Sequence, residues 1–155
     1  MHNPAANPLL GPDAGAFLQQ RAFGRSSVPF VQFLLESLAP EGVFTTAVSA
    51  ETNTTGTPTM TAIKYSRAGN VVTMSGQFTA DPVLTATATS FEFTLPIASN
   101  LGAASDVSGV AMCGVIAGMV AEVRGSAAND TAEVRWISSD ITSQTWSWFA
   151  QYRVL

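Results

Sequence analysis

Few side chains in this sequence of 155 residues could carry out catalysis. The only histidine is His2, which lies in a proline-interrupted segment, so a Ser-His-Asp or Cys-His arrangement cannot be built from a rigid scaffold. A zinc site requires three or four converging ligands, which one terminal histidine and the single Cys113 do not supply. Lys64, the only lysine, follows no glycine-rich phosphate loop. The sequence therefore predicts no cofactor and no metal, and Cys113 is predicted to be a small buried apolar residue.

Paired carboxylates are the remaining route to catalysis, because two Asp or Glu side chains across a groove can hydrolyse glycosidic bonds without histidine or metal. Glu122 is the most interesting candidate, since it lies within the apolar run of residues 110–123, where burial would raise a carboxyl pKa. An outward-facing Glu122 paired with Arg124 or Arg135 fits the same spacing and is favoured. We therefore predict that the protein is not an enzyme.

Two tryptophans could instead bind sugars. Trp146 and Trp148 are two residues apart and so point to the same side of one strand. Exposed, the two rings would form a platform on which a sugar ring stacks; turned inward, they belong to the core. Their alternation with Tyr152 and Val154, with Phe149 on the opposite side, favours the core, and the sugar platform stays open as the alternative.

The charge of the chain disfavours two classes of partner. Seven basic and eleven acidic residues give a net charge of −4, and the arginines are scattered, whereas nucleic-acid binding requires clustered cations. Residues 110–123 form the longest apolar stretch, which is interrupted by Gly114, Gly118 and Glu122 and is too short to cross a bilayer. The first residues also lack the features of a secretory signal. We expect no nucleic acid and no membrane as partner, and synthesis in a cytoplasm without export.

From residue 43 onward the pattern is that of β-structure. Strand-like runs recur every ten to fifteen residues, and residues 71–78 follow a turn at residues 67–70 that contains Gly and Asn. Residues 43–49, 59–66 and 131–137 alternate in the same way, and residues 110–124 predict a hairpin buried on both faces. Helices that could connect parallel strands are missing from the pattern. The sequence predicts an all-β domain, an antiparallel β-sandwich or jelly roll of seven to eight strands over residues 43–155.

Residues 1–42 differ in composition and are predicted to form an extended N-terminal arm. They contain five of the eight prolines and four of the nine phenylalanines. Apolar side chains at i, i+3, i+4 and i+8 predict a short helix over residues 30–38. Because so much apolar surface must be covered, we predict that the arm binds a partner, with packing on its own β domain as the alternative. The predicted binding residues are Phe17, Leu18, Phe23, Phe30, Phe33, Leu34 and Leu38.

Three segments in the same order carry a family resemblance. Residues 65–76, YSRAGNVVTMSG, fit the hairpin pattern Y-x-R-x-G-N-x-V-x-x-x-G of bacteriophage virion proteins. Residues 93–99, FTLPIAS, resemble the strand end that follows in those proteins, and residues 149–155, FAQYRVL, resemble their aromatic last strand. The chain resembles bacteriophage virion structural β-sandwich modules of the capsid decoration (cement) or tail-appendage type.

The resemblance implies a function in assembly. Such modules are β-sandwiches that often trimerise, so we expect a homotrimeric cement protein on the capsid surface, made in the host cytoplasm, that stabilises the head shell. The arm would then bind the major capsid protein, other virion subunits or adjacent trimers. The alternative is a tail-fibre or appendage module that binds a receptor or glycan through the tryptophan pair or through loops 51–58 and 98–109.

Overall fold

The computed structural model describes residues 41–154, which form β-strands and one short 3-10 turn at Ala104–Asp106. The strands are β1 Glu41–Phe44, β2 Val48–Thr52, β3 Thr59–Met60, β4 Ile63–Ala68, β5 Val71–Ala80, β6 Thr87–Thr94, β7 Val107–Cys113, β8 Val120–Ser126, β9 Thr131–Ser138 and β10 Gln144–Arg153. Within this range, no helix has the length and hydropathy needed to cross a membrane.

The strands of residues 41–154 form one antiparallel sheet, in the order β1-β4-β5-β10-β7-β8-β9-β6-β2, with β3 paired to β5. The predicted all-β antiparallel class is confirmed. Ten strands are present in this part of the chain rather than seven or eight, partly because residues 59–66 divide into β3 and β4 where Thr61 bonds to Gln77 instead of continuing the ladder. The hydrogen-bonded order is continuous, and the division into the two sheets of a sandwich or jelly roll stays a prediction.

The sheet curls until its two ends come together. β1 and β2 are the first and last strands in the order, yet only residues 45–47 join them along the chain. Four Cα–Cα steps span at most about 15 Å, so the two ends lie within that distance. Thr46 Oγ1 donates a hydrogen bond to Thr94 O (3.0 Å), and Thr94 N donates to Ala47 O (3.1 Å). The prediction of one strand over residues 43–49 is therefore wrong, because the chain passes there from one end of the sheet to the other.

Aromatic rings from distant strands meet on the inner face of the curled sheet. Phe78 of β5 lies 5.0 Å from Phe91 of β6, between ring centroids, and Phe93 of β6 lies 5.1 Å from Trp148 of β10. Trp146 stacks on its cross-strand neighbour Phe78 at 5.6 Å with an interplanar angle of 10°. Since β6 is adjacent to neither β5 nor β10 in the sheet, these contacts hold the two halves of the sheet against each other.

The tryptophan pair belongs to this core. Along β10 every second residue is buried, from Gln144 to Tyr152, and the side chains of Trp146 and Trp148 are 0% and 4% exposed. The core interpretation is confirmed, and the sugar platform is wrong because neither ring reaches the surface. Within residues 41–154 the indole nitrogens of both rings have no hydrogen-bond acceptor, so packing rather than hydrogen bonding orients them.

The apolar run of residues 110–123 forms β7, β8 and the turn between them, but it is not buried on both faces as predicted. Ala111 and Ala121 are buried, whereas Val110, Met112 and Val120 are exposed. Both strands belong to a sheet whose inner face is filled by its own side chains, and no second layer of the described residues covers the outer face. Burial is therefore one-sided here.

Tyr152 fastens the loop after β6 to β10. Its hydroxyl donates a hydrogen bond to Ile97 O (2.8 Å) and accepts one from Ile97 N (3.0 Å). Ser99 Oγ donates to Arg153 O beside it. Burial raises the pKa of the Tyr152 hydroxyl to about 12, against the smaller lowering effect of the hydrogen bond with Ile97.

Gly109→Ala tests the close approach of β7 and β10. A Cβ at residue 109 would lie 2.4 Å from both Ala150 Cβ and Phe149 O. We expect the free energy of unfolding to fall by about 2–3 kcal/mol, since neither atom can move without shifting β10. Urea denaturation followed by tryptophan fluorescence measures the change. Gly114→Ala is the matched control, because its Cβ would meet its nearest atom, Thr145 O, at 3.5 Å. Equal losses in the two variants would contradict this packing.

Tyr152→Phe tests the fastening of the loop. Loss of the Tyr152 hydroxyl leaves the Ile97 amide and carbonyl without this partner. We expect the free energy of unfolding to fall by about 1–2 kcal/mol at neutral pH. The unfolded chain ionises tyrosine at about pH 10, before the folded chain does. The contribution of Tyr152 is therefore complete below pH 10 and is lost as pH rises towards about 12.

Chemical denaturation at pH 7 to 12 measures both effects of Tyr152→Phe. The stability of the variant should decline less than that of wild type as pH rises above about 10. Tyr65→Phe serves as control, because the Tyr65 hydroxyl makes no hydrogen bond in residues 41–154. A Tyr152→Phe chain with the wild-type alkaline profile would refute the assignment.

Candidate interaction surface

The residues that could carry chemistry do not converge in the described part of the chain. Among residues 41–154 no three His, Cys, Asp or Glu side chains are placed to hold a metal ion. Cys113 is half-buried against the core rather than fully buried as predicted, and its Sγ accepts a hydrogen bond from Ile116 N (3.3 Å). His2 lies outside the described residues.

Two aspartates have structural roles in the loop before β7. Asp106 Oδ2 accepts hydrogen bonds from the amides of Gly102 and Ala103 at 2.7 and 2.8 Å. Asp130 Oδ1 accepts one from Leu101 N (2.8 Å) and so attaches this loop to the turn between β8 and β9. Both carboxylates therefore act as hydrogen-bond acceptors that organise this loop.

Glu92 anchors the same turn from the outer side of β6. Its carboxylate accepts hydrogen bonds from Ser126 Oγ (2.8 Å), Asn129 Nδ2 (2.9 Å) and Thr131 Oγ1 (2.6 Å). Burial alone raises the pKa of Glu92, but these three hydrogen bonds together outweigh burial and hold the pKa below its ordinary value. Glu92 is thus an ionised acceptor in the fold, and not a proton donor.

Glu122, the candidate catalytic acid, faces outward. It is exposed and lies opposite Arg135 in the β8–β9 register, as the favoured interpretation predicted. Arg124 does not pair with it by hydrogen bonding: Arg124 Nε bonds to Glu133 Oε2 at 2.7 Å. Hydrogen bonding to Glu133 raises the pKa of Arg124, against the effect of burial. The surroundings of Glu122 therefore give no desolvated carboxyl of the kind that general acid catalysis requires.

The outer side of the sheet carries contiguous apolar side chains across β10, β7 and β8. Phe149 lies directly opposite Val110, and Met112 lies directly opposite Val120. Their side chains are 48–63% exposed. Cross-strand neighbours in a sheet are about 5 Å apart, so the side chains of each pair are adjacent. The two pairs lie two residues apart along β7, where Glu122 is opposite Val110 and Ser147 is opposite Met112. Together they form a block with an apolar surface in solvent.

Ile137 extends the block onto β9. The β8–β9 pairing ends with Glu122 opposite Arg135, and beyond it Ser139 Oγ lies 3.6 Å from Met119 Sδ, so Val120 and Ile137 lie between two points where the strands are close. Ile137 is 60% exposed. We call this surface the apolar face; its residues are Val110, Met112, Val120, Ile137 and Phe149.

The apolar face was not predicted from the sequence, although one signal was present. On β7 the inward positions beside the tryptophans hold Ala111 and Cys113, while the larger Val110 and Met112 alternate with them. In most strands the large apolar residues face the core, whereas this part of β7 has small residues inside and larger ones outside. A comparison of side-chain size along the strand would have identified this surface.

A polar depression of about 450 Å³ lies at the C-terminal end of β10. Its lining includes Arg153 and Gln151 of β10, Ser108 of β7, and Ser105 and Asp106 from the preceding turn. Three of these residues belong to the 98–109 loop that the sequence named as a possible contact site. The depression offers hydroxyl, amide and guanidinium groups to a ligand, without an exposed aromatic ring.

The predicted arm residues lie outside the described part of the chain, so their role stays a prediction. They are Phe17, Leu18, Phe23, Phe30, Phe33, Leu34 and Leu38. Comparison with protein-family models, curated proteins and solved structures gave no match for this chain.

Glu92→Gln tests the anchoring of the turn. A neutral amide accepts fewer of the three hydrogen bonds, and we expect a loss on the order of 1 kcal/mol at pH 7. Because the folded pKa of Glu92 lies below the unfolded value, its contribution is present above about pH 4 and is lost as pH falls further. Wild-type and variant stabilities should therefore converge in acid.

Urea denaturation between pH 3 and 7 measures this convergence. Glu51→Gln is the control, since Glu51 is exposed on β2 and outside the network. A stability difference between Glu92→Gln and wild type that stays constant with pH would rule out the ionised carboxylate as its cause.

Proposed function

We propose that this chain is a non-enzymatic structural protein of a bacteriophage virion. It is a capsid decoration or cement protein that stabilises the head shell as a homotrimer, on the outer surface of the capsid. In this proposal the ten-stranded sheet is the β-sandwich or jelly-roll module that the resemblance implies. The chain is made in the host cytoplasm and needs no cofactor.

The observation that carries the proposal is the difference between the two faces of the sheet. The inner face is filled by aromatic side chains, and five of the described carboxylates accept structural hydrogen bonds or an ion pair. The outer face presents an apolar surface to solvent. Exposed apolar patches often mark surfaces through which proteins associate. Carboxylates that already accept hydrogen bonds or an ion pair within the fold suit a structural protein rather than a catalyst.

In this proposal the predicted arm attaches the module to the shell. Its seven large apolar residues bind the major capsid protein, other virion subunits or adjacent trimers, while nucleic acid and membrane are not partners. The net charge of −4 supports the exclusion of nucleic acid as a partner, since an acidic protein is repelled by its phosphates.

A tail-fibre or appendage module is the second candidate. Its supporting observation is the polar depression beside Arg153, where Gln151, Ser105 and Ser108 present the hydrogen-bonding groups that a glycan or receptor loop uses. The tryptophan pair no longer supports this candidate, because both rings are buried.

Copy number tests the cement role. In purified particles that contain this chain, quantitative mass spectrometry should find hundreds of copies for a cement protein and tens or fewer for an appendage.

The full-length double variant Phe30→Ser and Phe33→Ser should reduce the bound copies at least about tenfold by removing buried apolar area at the shell. Val83→Ser is the control, since Val83 is exposed in the loop after β5. Undiminished decoration by the double variant would exclude the arm as the attachment.

A further inference from the structure

We propose that the apolar face, Val110, Met112, Val120, Ile137 and Phe149, is the interface between copies of this chain. The inference rests on the proposed structural role and adds the surface through which copies assemble. No residue of the predicted arm is needed for it.

A second sheet can cover part of this surface. Strands β10, β7, β8 and β9 are adjacent and antiparallel, so their outward side chains form one continuous surface on the convex side of the sheet. Sheets pack face to face at about 10 Å when both present apolar side chains. A second copy supplies such a layer with matching apolar character.

The charges near the apolar face favour a copy of the same chain. The chain carries a net charge of −4, so two copies repel each other over most orientations. Within the same outer surface, however, Glu122 lies between Val110 and Arg135 in the register, and Glu133 is bonded to Arg124. These four charges cancel, and the flanking β10 residues Ser147 and Gln151 are neutral. Acidic copies can therefore approach through this side of the sheet without net repulsion.

The area also matches an interface of modest size. The outer side of the four strands, which includes polar residues such as Ser147 and Gln151 around the apolar face, has a footprint of about 20 Å by 20 Å. Side-chain relief makes the accessible area larger than this footprint, which brings it into the range of small specific interfaces, about 600 Å² per partner. The uncharged turn between β7 and β8, where Val115 is exposed, adds to it at one border.

The test is the molar mass of the full chain, measured by sedimentation equilibrium up to about 100 μM. Wild type should show a multiple of 16.2 kDa. Met112→Lys should raise the dissociation constant at least about 30-fold, because association would bury an unpaired charge. Phe149→Thr should weaken association in the same direction and keeps a residue suited to strands. Val43→Lys is the matched control: Val43 is equally exposed, but β4 and β5 separate its strand from β10.

Each outcome decides a different point. Association of wild type that is lost in Met112→Lys and Phe149→Thr, with circular dichroism unchanged, supports the inference; a mass of two chains then corrects only the proposed trimer. Equal association in all variants overturns the inference and leaves trimerisation standing. A wild-type monomer overturns both, and co-sedimentation of that monomer with phosphatidylcholine vesicles would assign the face to lipid instead.

Discussion

The two tryptophans of β10 constrain both neighbouring strands. Trp146 and Trp148 lie in a close-packed interior, where side-chain volumes must be complementary. Their partners on β7 are accordingly Cys113 and Ala111, and the partner of Trp148 on β5 is Gly76. An added Cβ at Gly76 would lie 3.1 Å from the indole Nε1. Both tryptophans thus face small residues on β7, whereas on β5 only Trp148 does, since Trp146 stacks on Phe78. Rings from β5, β6, β9 and β10 together fill the concave side of the sheet.

The same constraint shapes the outer surface. Beside the two tryptophans the interior holds only Ala111 and Cys113 of β7, whereas the larger Val110 and Met112 of that stretch lie outside. Phe149 and Val120 complete the exposed block from the adjacent strands. The interior is thus dominated by a few rings, while the exterior of the same strands presents apolar side chains to solvent. The polar groups of the chain hold loops in place around it, as the three hydrogen bonds to Glu92 illustrate.

Local patterns predicted local structure well. The alternation around Trp146 and Trp148, the hairpin with its turn at residues 67–70 and the strand class all follow from period-two burial and turn chemistry, which act between near neighbours. What could not be predicted depends on contacts between distant residues. The break within residues 43–49 arises because Thr46 meets Thr94, and a continuous apolar run does not reveal which side of a sheet is covered. The role of Glu92 depends on a turn more than thirty residues away. For the same reason the full extent of the apolar face, assembled from four strands, was not visible in any one of them, although the size pattern along β7 indicated part of it.

The position of β10 within the sheet has a consequence for how the molecule is made. This strand, the last of those described, lies between β5 and β7 and supplies the only pairing that joins β1, β3, β4 and β5 to the other strands in the hydrogen-bonded order. During synthesis the earlier strands emerge first, yet until residues 144–153 leave the ribosome they can form only two separate groups, each with an open edge. Acquisition of the complete sheet is thus a late event, and a ribosome that stalls before Gln144 would release a chain with no route to the native core.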